Sequence, residues 1–186
     1  RPSGSAGLLV SSMEAFRKYQ LQDAWTWEHQ ALVRARVVAG SEALADKFDE
    51  LRGSILRRER DPQALRDDVV SMRHKMRDHL GTKGEGAKSE RGDGENASTD
   101  ATFSLKHDAG GMVDIEFLCQ YAVLALSHQT PALITYSDNI RILETLAESG
   151  HITQVEAEQL REAYLAYRSR THRAALTGEK ALGQVK

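Results

Sequence analysis

Apolar residues recur every three or four positions through most of this chain, the period of a helix with one buried side. Ser11-x-x-Glu14 reads as a capping box opening a helix that runs to about Leu21. Asp23 is placed to cap a second helix over residues 25–40. On that helix Trp27, Gln30/Ala31, Arg34 and Val38 form one stripe, and Trp25, Glu28, Leu32, Ala35/Arg36 and Ala39 form another. Gly40 is its expected stop. Ser41 caps a third helix carrying Leu44, Phe48, Leu51 and Ile55/Leu56. Asp61-Pro62 is a cap followed by a first-turn proline, opening a fourth helix to about Leu80. Its apolar line is Leu65, Val69, Met72 and Met76, and Gly81 ends it.

Residues 81–102 hold no large apolar side chain and read as a surface loop or disordered insert rich in glycine and charge. Phe103 to His107 then alternate apolar and polar, as a short extended segment does. Gly110-Gly111 open a helix from Met112 to Ser127 with almost no polar side, which places it at the centre of the fold. Ser137/Asp138 cap the next helix, with Ile140, Leu143 and Leu146/Ala147 inward and Gly150 at its end. Thr153-x-x-Glu156 is another capping box, and the helix it opens carries Leu160, Tyr164 and Tyr167 and frays near Gly178. The pattern predicts an all-α fold, an irregular helical bundle of about seven helices around the buried helix Met112 to Ser127.

Composition narrows this further. The chain has 186 residues, 6% aromatics and 3 prolines, which suits one helical domain. A net charge of −2 gives no general pull toward nucleic acid or an anionic membrane. The lone Cys119 excludes an internal disulfide framework and fits a reducing, cytoplasmic setting. The longest apolar stretch, 115–126, falls short of the ~20 residues of a membrane span, and no signal-peptide pattern opens the chain. The first residue is not methionine, so the chain is expected to be a piece of a longer protein. Residues 1–10 are then an exit segment from a preceding domain, 11–178 the bundle, and 179–186 a tail.

Three clusters carry candidate chemistry. Lys106-His107-Asp108-Ala109-Gly110-Gly111 precedes a helix start, where free N–H groups can seat an anion; alternatively the glycines only make a turn, with Asp108, Asp114 and Glu116 compensating the helix end. Asp114 and Glu116 have the spacing of a metal pair, but on a helix they diverge by about 200°. Dipole compensation and an ion pair with an arginine of another helix suit them better. Glu28, Arg34 and Arg36 can bind phosphate or lock an interdomain contact, or merely pair in solvent. The run Arg52, Arg57, Arg58, Arg60, with Arg66, Arg73, Lys75 and Arg77 beyond it, is either a binding face or an ordinary solvated one. The seven histidines show no metal spacing, and Cys119 reads as core. No self-sufficient active site or metal site emerges, so no catalytic residue is assigned.

Several long segments, RPSGSAGLLV, AWTWEHQALVRARVVAG, VVSMRHKMRDHLG, FSLKHDAGGMVDIEFLCQY and YSDNIRILETLAESG, resemble the glutamine synthetase adenylyltransferase family. The resemblance spans nearly everything except 81–102, which looks longer than the family's usual loop. Members pair nucleotidyltransferase domains with helical domains in two halves. One half removes AMP from a tyrosine of glutamine synthetase and the other attaches it, using ATP and Mg²⁺, under control of PII signalling protein and glutamine. The wording around WTWEHQALVRARVVAG and GGMVDIEF is similar to the C-terminal, adenylylating half. The resemblance implies a helical domain that packs on a preceding nucleotidyltransferase domain, helps form the nucleotide and protein-substrate cleft, and is inactive alone. It directs attention to Glu28, Arg34, Arg36, Lys106, Asp114 and Glu116 as nucleotide or interdomain contacts. The alternative is a regulatory binding module for PII protein, glutamine or glutamine synthetase with no direct part in catalysis.

Overall fold

The computed structural model describes residues 10–82, 102–178 and 182–184; the loop and exit-segment expectations fall largely outside them. Helix α1 (Met13–Gln22) begins one residue later than the capping-box reading: Ser12, not Ser11, accepts the Ala15 N–H at 3.1 Å. Phe16 of α1 stacks on Phe48 of α3 (Glu42–Leu56), ring centroids 6.1 Å apart. At its end Asp23 keeps helical backbone angles and donates its N–H to the Tyr19 carbonyl. Asp23 therefore closes α1 and does not cap α2. That role falls to Glu28, whose carboxylate accepts the Trp25 N–H at 3.1 Å from inside the first turn of α2 (Thr26–Val33).

Helix α2 is half as long as the pattern predicts. It stops at Val33, Arg34 is its C-terminal cap, and residues 35–38 are neither helix nor turn. The cause is Arg52 on α3, only 8% exposed. Its Nε donates to the Leu32 carbonyl at 3.1 Å, Nη2 to Val33 at 2.8 Å, and Nη1 to Ile134 at 2.9 Å. A continuing helix would need the first two carbonyls for residues 36 and 37. The guanidinium takes them instead, and the β-branched pair Val37-Val38 gives helix continuation little support. Gly40, at φ +134°, is a pivot beyond the break and not a helix stop.

Helix α4 (Pro62–Leu80) starts as predicted, with Asp61 accepting the Ala64 N–H at 2.7 Å and Pro62 at the first position. Leu65 and Val69 are buried, and so is Arg73 one turn on. Strand β1 (Thr102–Ser104) pairs antiparallel with β2 (Leu182–Gln184), Phe103 opposite Gly183. The pattern anticipates extended chain at the first of these but gives no sign of its partner.

Helix α5 (Met112–Leu126) is the centre of the bundle. It packs against α2, α4, the short 3-10 helix Pro131–Ile134, α6 (Asn139–Glu148) and α7 (Gln154–Thr177). Cys119, Val123 and Leu124 on α5 are fully buried with Leu56, Ile142 and Leu143. Each such aliphatic side chain contributes about 1.5–3 kcal/mol by leaving water. Ser127, the residue after α5, donates its hydroxyl to the Leu56 carbonyl at 2.7 Å, fastening it to the end of α3. Asp138 caps α6 through the Arg141 N–H, and the Thr153/Glu156 box opens α7, both as predicted. No helix among the described residues is long and apolar enough to cross a membrane.

Replacing Arg52 by Leu strips the Val33 and Ile134 carbonyls of their donor and leaves Leu32 only its backbone partners. The variant should lose about 2–4 kcal/mol of unfolding free energy in urea. Arg52→Lys should recover less than half, because an ammonium lacks the fork that reaches all three oxygens. A loss below about 1 kcal/mol for Arg52→Leu would show that water replaces the guanidinium.

Candidate functional site

The turn before α5 is where the sequence places an anion seat. Gly111 stands where a Cβ would lie 3.0 Å from both the Asp108 and Leu105 carbonyl oxygens, so the turn closes only around glycine. The N–H groups there already have acceptors. Gly110 donates to the Asp114 carboxylate, Gly111 to the Asp108 carbonyl, Met112 to Leu105 at 2.9 Å, Val113 to Lys106 at 3.1 Å and Asp114 to Gly111 at 3.0 Å. Asp114 also forms an ion pair with the buried Arg73 of α4. Arg73 in turn donates to the carbonyls of His107 at 2.8 Å and Asp108 at 3.2 Å. The turn is a closed hydrogen-bonded knot, with Lys106 exposed beside it. Burial lowers the His107 pKa, with Lys106 and Arg73 adding to the effect.

Asp108 organises the same knot from its other side. Its carboxylate accepts the Thr82 N–H at 2.8 Å, the Thr82 hydroxyl at 2.7 Å and the Ser104 N–H at 2.8 Å. Burial works against its charge, but the hydrogen bonds from Ser104 and Thr82 hold its pKa below the usual carboxylate value.

The remaining candidates fall in two other places. Glu116 diverges from Asp114 around α5 and accepts the Tyr164 hydroxyl of α7 at 3.3 Å. The two carboxylates thus serve different partners. Arg34 lies at the α2–α5 seam, close enough with Glu116 to act on Cys119, and Gln30 bridges the same seam to Gln120 at 3.1 Å. Burial pushes the Cys119 thiol up to about 12. Glu28 accepts the Tyr19 hydroxyl at 2.7 and 2.8 Å in addition to the Trp25 N–H, while Arg36 stands exposed in the run beyond α2. Among the described residues no three His, Cys, Asp or Glu converge as a metal cluster.

The basic run divides: Arg57, Arg58, Arg66 and Lys75 are exposed, while three of its arginines are committed to the fold. Arg52 caps α2, Arg73 is in the knot, and Arg60 donates to the carbonyls of Ile55 at 2.9 Å, Leu56 at 3.1 Å, Arg58 at 2.8 Å and Leu124 at 3.2 Å. Burial, with neighbouring Arg58, lowers the Arg60 pKa to about 10. The reason is common to all three: helix ends and turns turn their carbonyls inward here, and a guanidinium satisfies several at once. Beside Arg60 lies a cleft of about 340 Å³ lined by Gln20, Thr26, His29, Arg58 and Asp68. His29 donates Nε2–H to the Gln20 carbonyl at 2.9 Å, and its burial lowers its pKa. Sequence periodicity gave no signal for this cleft, because its walls come from four separate segments.

Residues 1–51 match the family model described as glutamate-ammonia ligase adenylyltransferase, and residues 57–181 match the model described as GlnD PII-uridylyltransferase. Similar curated proteins carry the name bifunctional glutamine synthetase adenylyltransferase/adenylyl-removing enzyme. Those from Pseudomonas aeruginosa and Pseudomonas syringae pv. tomato are each 56% identical, over 96% and 95% of this chain. That from Acinetobacter baylyi is 50% identical over 96%. The chain belongs to the glutamine synthetase adenylyltransferase family. It spans 18% of the length of these relatives. Because identity to adenylyltransferases runs through both matched spans, the second match marks a helical module that this family has in common with the uridylyltransferases. The adenylyltransferase model ends inside α3, so α1, α2 and the run after α2 share that span.

Two outcomes check the site chemistry. Asp108 has a folded-state pKa below its unfolded value, so its stabilisation is complete above the ordinary carboxylate range and is lost as pH falls through the folded value. Asp108→Asn should therefore cost about 1–3 kcal/mol near neutrality, and its gap to the wild type should close below about pH 4 in acid titration. Cys119, fully buried with its thiol pKa at about 12, should resist thiol reagents until denaturant unfolds the bundle. Rapid labelling of the native protein would contradict the closed α5 core.

Proposed function

We propose that this domain is the helical partner of a nucleotidyltransferase unit that precedes it in a longer polypeptide, in the adenylylating C-terminal half. The whole enzyme moves AMP from ATP to a tyrosine of glutamine synthetase in the cytoplasm, with PII protein and glutamine as effectors. The names of the relatives support the reaction, and the chain's small share of their length leaves room for a separate catalytic unit. The observation that carries the domain's own role is its apolar surface. Trp25 is 70% exposed and Trp27 43%, and Val10, Leu21, Val37, Val38 and Leu44 are exposed as well. All seven lie within residues 1–51, the span matched by the adenylyltransferase model. Two uncovered tryptophans offer large apolar area at small entropic cost, which suits a permanent docking face.

ATP and Mg²⁺ belong to the catalytic unit in this reading. The helical domain orients that unit and closes one side of its cleft, which is how a positioned neighbour aids phosphoryl chemistry. Arg34 and Arg36 suit contact with the neighbour or its nucleotide, with Lys106 as a further exposed cation. Glu28, Asp114 and Glu116 act through the partners they hold: Trp25, Arg73 and Tyr164. A regulatory module that binds PII, glutamine or glutamine synthetase through a basic face has less support, since Arg52, Arg60 and Arg73 are committed to carbonyls and Asp114.

The test is AMP incorporation into glutamine synthetase by the full-length enzyme. The double variant Trp25→Ala/Trp27→Ala should lose at least about tenfold, some 1.4 kcal/mol. Val155→Ala and Leu176→Ala, also exposed on α7, should stay near the wild type. Residues 1–186 alone should transfer no AMP. Wild-type rates from the double variant would overturn the docking role.

A further inference from the structure

We propose that residues 36–39 form a strap that pairs main chain to main chain with the part of the same polypeptide preceding residue 1. The inference rests on the docking role above and names the element that makes the contact specific. Arg52 ends α2 early, which releases a stretch of backbone that the sequence would otherwise coil into helix. The last α2-linked bond in this region runs from the Ala35 N–H to the Leu32 carbonyl. Beyond it, no N–H or carbonyl of Arg36, Val37, Val38 or Ala39 has a hydrogen-bond partner among the described residues. Backbone groups seldom stay unpaired once a surface is covered, so covering this run requires that its partner supply donors and acceptors.

The side chains agree with the backbone. Val38 is 83% exposed and Val37 37%, and both are β-branched, the class that favours extended, paired chain. Of the exposed apolar residues beyond the first third of the chain, Val70, Leu80, Leu118, Val155, Leu165 and Leu176 lie on helices, where amides past the first turn are bonded within the helix, and Tyr136 lies in the short run before α6. The run after α2 therefore combines uncovered apolar side chains with available main chain, the two requirements of strand addition. Its frame is fixed: Arg34 is held as the α2 cap, and Gly40 at φ +134° turns the chain into Ser41, which is extended ahead of α3. The occupant is the preceding catalytic unit proposed above: the strap lies inside the adenylyltransferase-matched span, and this chain is 18% of the length of the Pseudomonas aeruginosa relative, which leaves room for such a unit.

Hydrogen–deuterium exchange on the full-length enzyme reads the strap directly, since the described residues offer those amides no acceptor. The amides of 36–39 should exchange at least about 100-fold slower than unstructured chain, independent of protein concentration. Val38→Pro, which removes one donor, should lower AMP transfer about tenfold, and Val38→Ala by no more than about threefold. Hydroxyl-radical footprinting of Trp25 and Trp27 in the same enzyme separates the two readings. Shielded tryptophans with fast amides at 36–39 would overturn the strap and leave the docking role standing. Exposed tryptophans and fast amides would overturn both. Protection that appears only as concentration rises would assign the strap to a second copy and overturn the proposal.

Discussion

A helix without a polar side can be kept from water only if other helices enclose it, and α5 imposes that condition on the whole bundle. Its burial fixes where α2, α4, α6 and α7 must lie. It also concentrates the structural problem at its two ends, where backbone groups reach the edge of an apolar core without a helical partner. At the N-terminal end the solution is Asp114 with Arg73 and the tight Gly110-Gly111 turn. At the C-terminal end it is Ser127 reaching Leu56, and Arg60 reaching Leu124.

Arginine does most of this terminal work. Arg52 and Arg60 sit among carbonyl oxygens with no carboxylate bonded to either. Burial lowers the pKa of both, the expected direction for a cation withdrawn from water. They remain tolerable because a guanidinium meets several oxygens in one plane, each charge-assisted bond offsetting part of the desolvation. A cation so engaged is not available to a ligand. Of the arginines and lysines between 52 and 77, those left to solvent are Arg57, Arg58, Arg66 and Lys75.

Much of the fold was legible because it follows from local rules. Asp61-Pro62, Asp138 and the Thr153/Glu156 box are decided within one helical turn, and all three start helices as the sequence predicts. The centrality of α5 was legible from its scarcity of polar positions. What escaped was decided at long range. The end of α2 depends on Arg52, about twenty residues later in sequence, and the pairing of β1 with β2 spans most of the second half of the chain. The candidate residues fared in the same way. Asp114 has the cross-helix arginine that its position called for, whereas the commitment of Arg73 and Arg60 to carbonyls leaves no periodic trace. The bonds that Glu28 accepts from Trp25 and Tyr19 likewise leave no trace in the periodic pattern.

The three hydrogen bonds to Asp108 have a consequence for how this gene segment can vary in length. One carboxylate grips Thr82 and Ser104, the two banks of the glycine-rich insertion between them. At the near bank Gly81 comes so close that a Cβ would lie 2.8 Å from the Asp108 carboxylate oxygen. Asp108 thus ties Thr82 to Ser104 at the base of the insertion. Doubling such a loop adds only about 0.6 kcal/mol of closure entropy. Evolution, or a protein engineer seeking a place for a reporter sequence, can lengthen or shorten the insertion without disturbing a helix, provided Gly81, Thr82, Ser104 and Asp108 are left as they are.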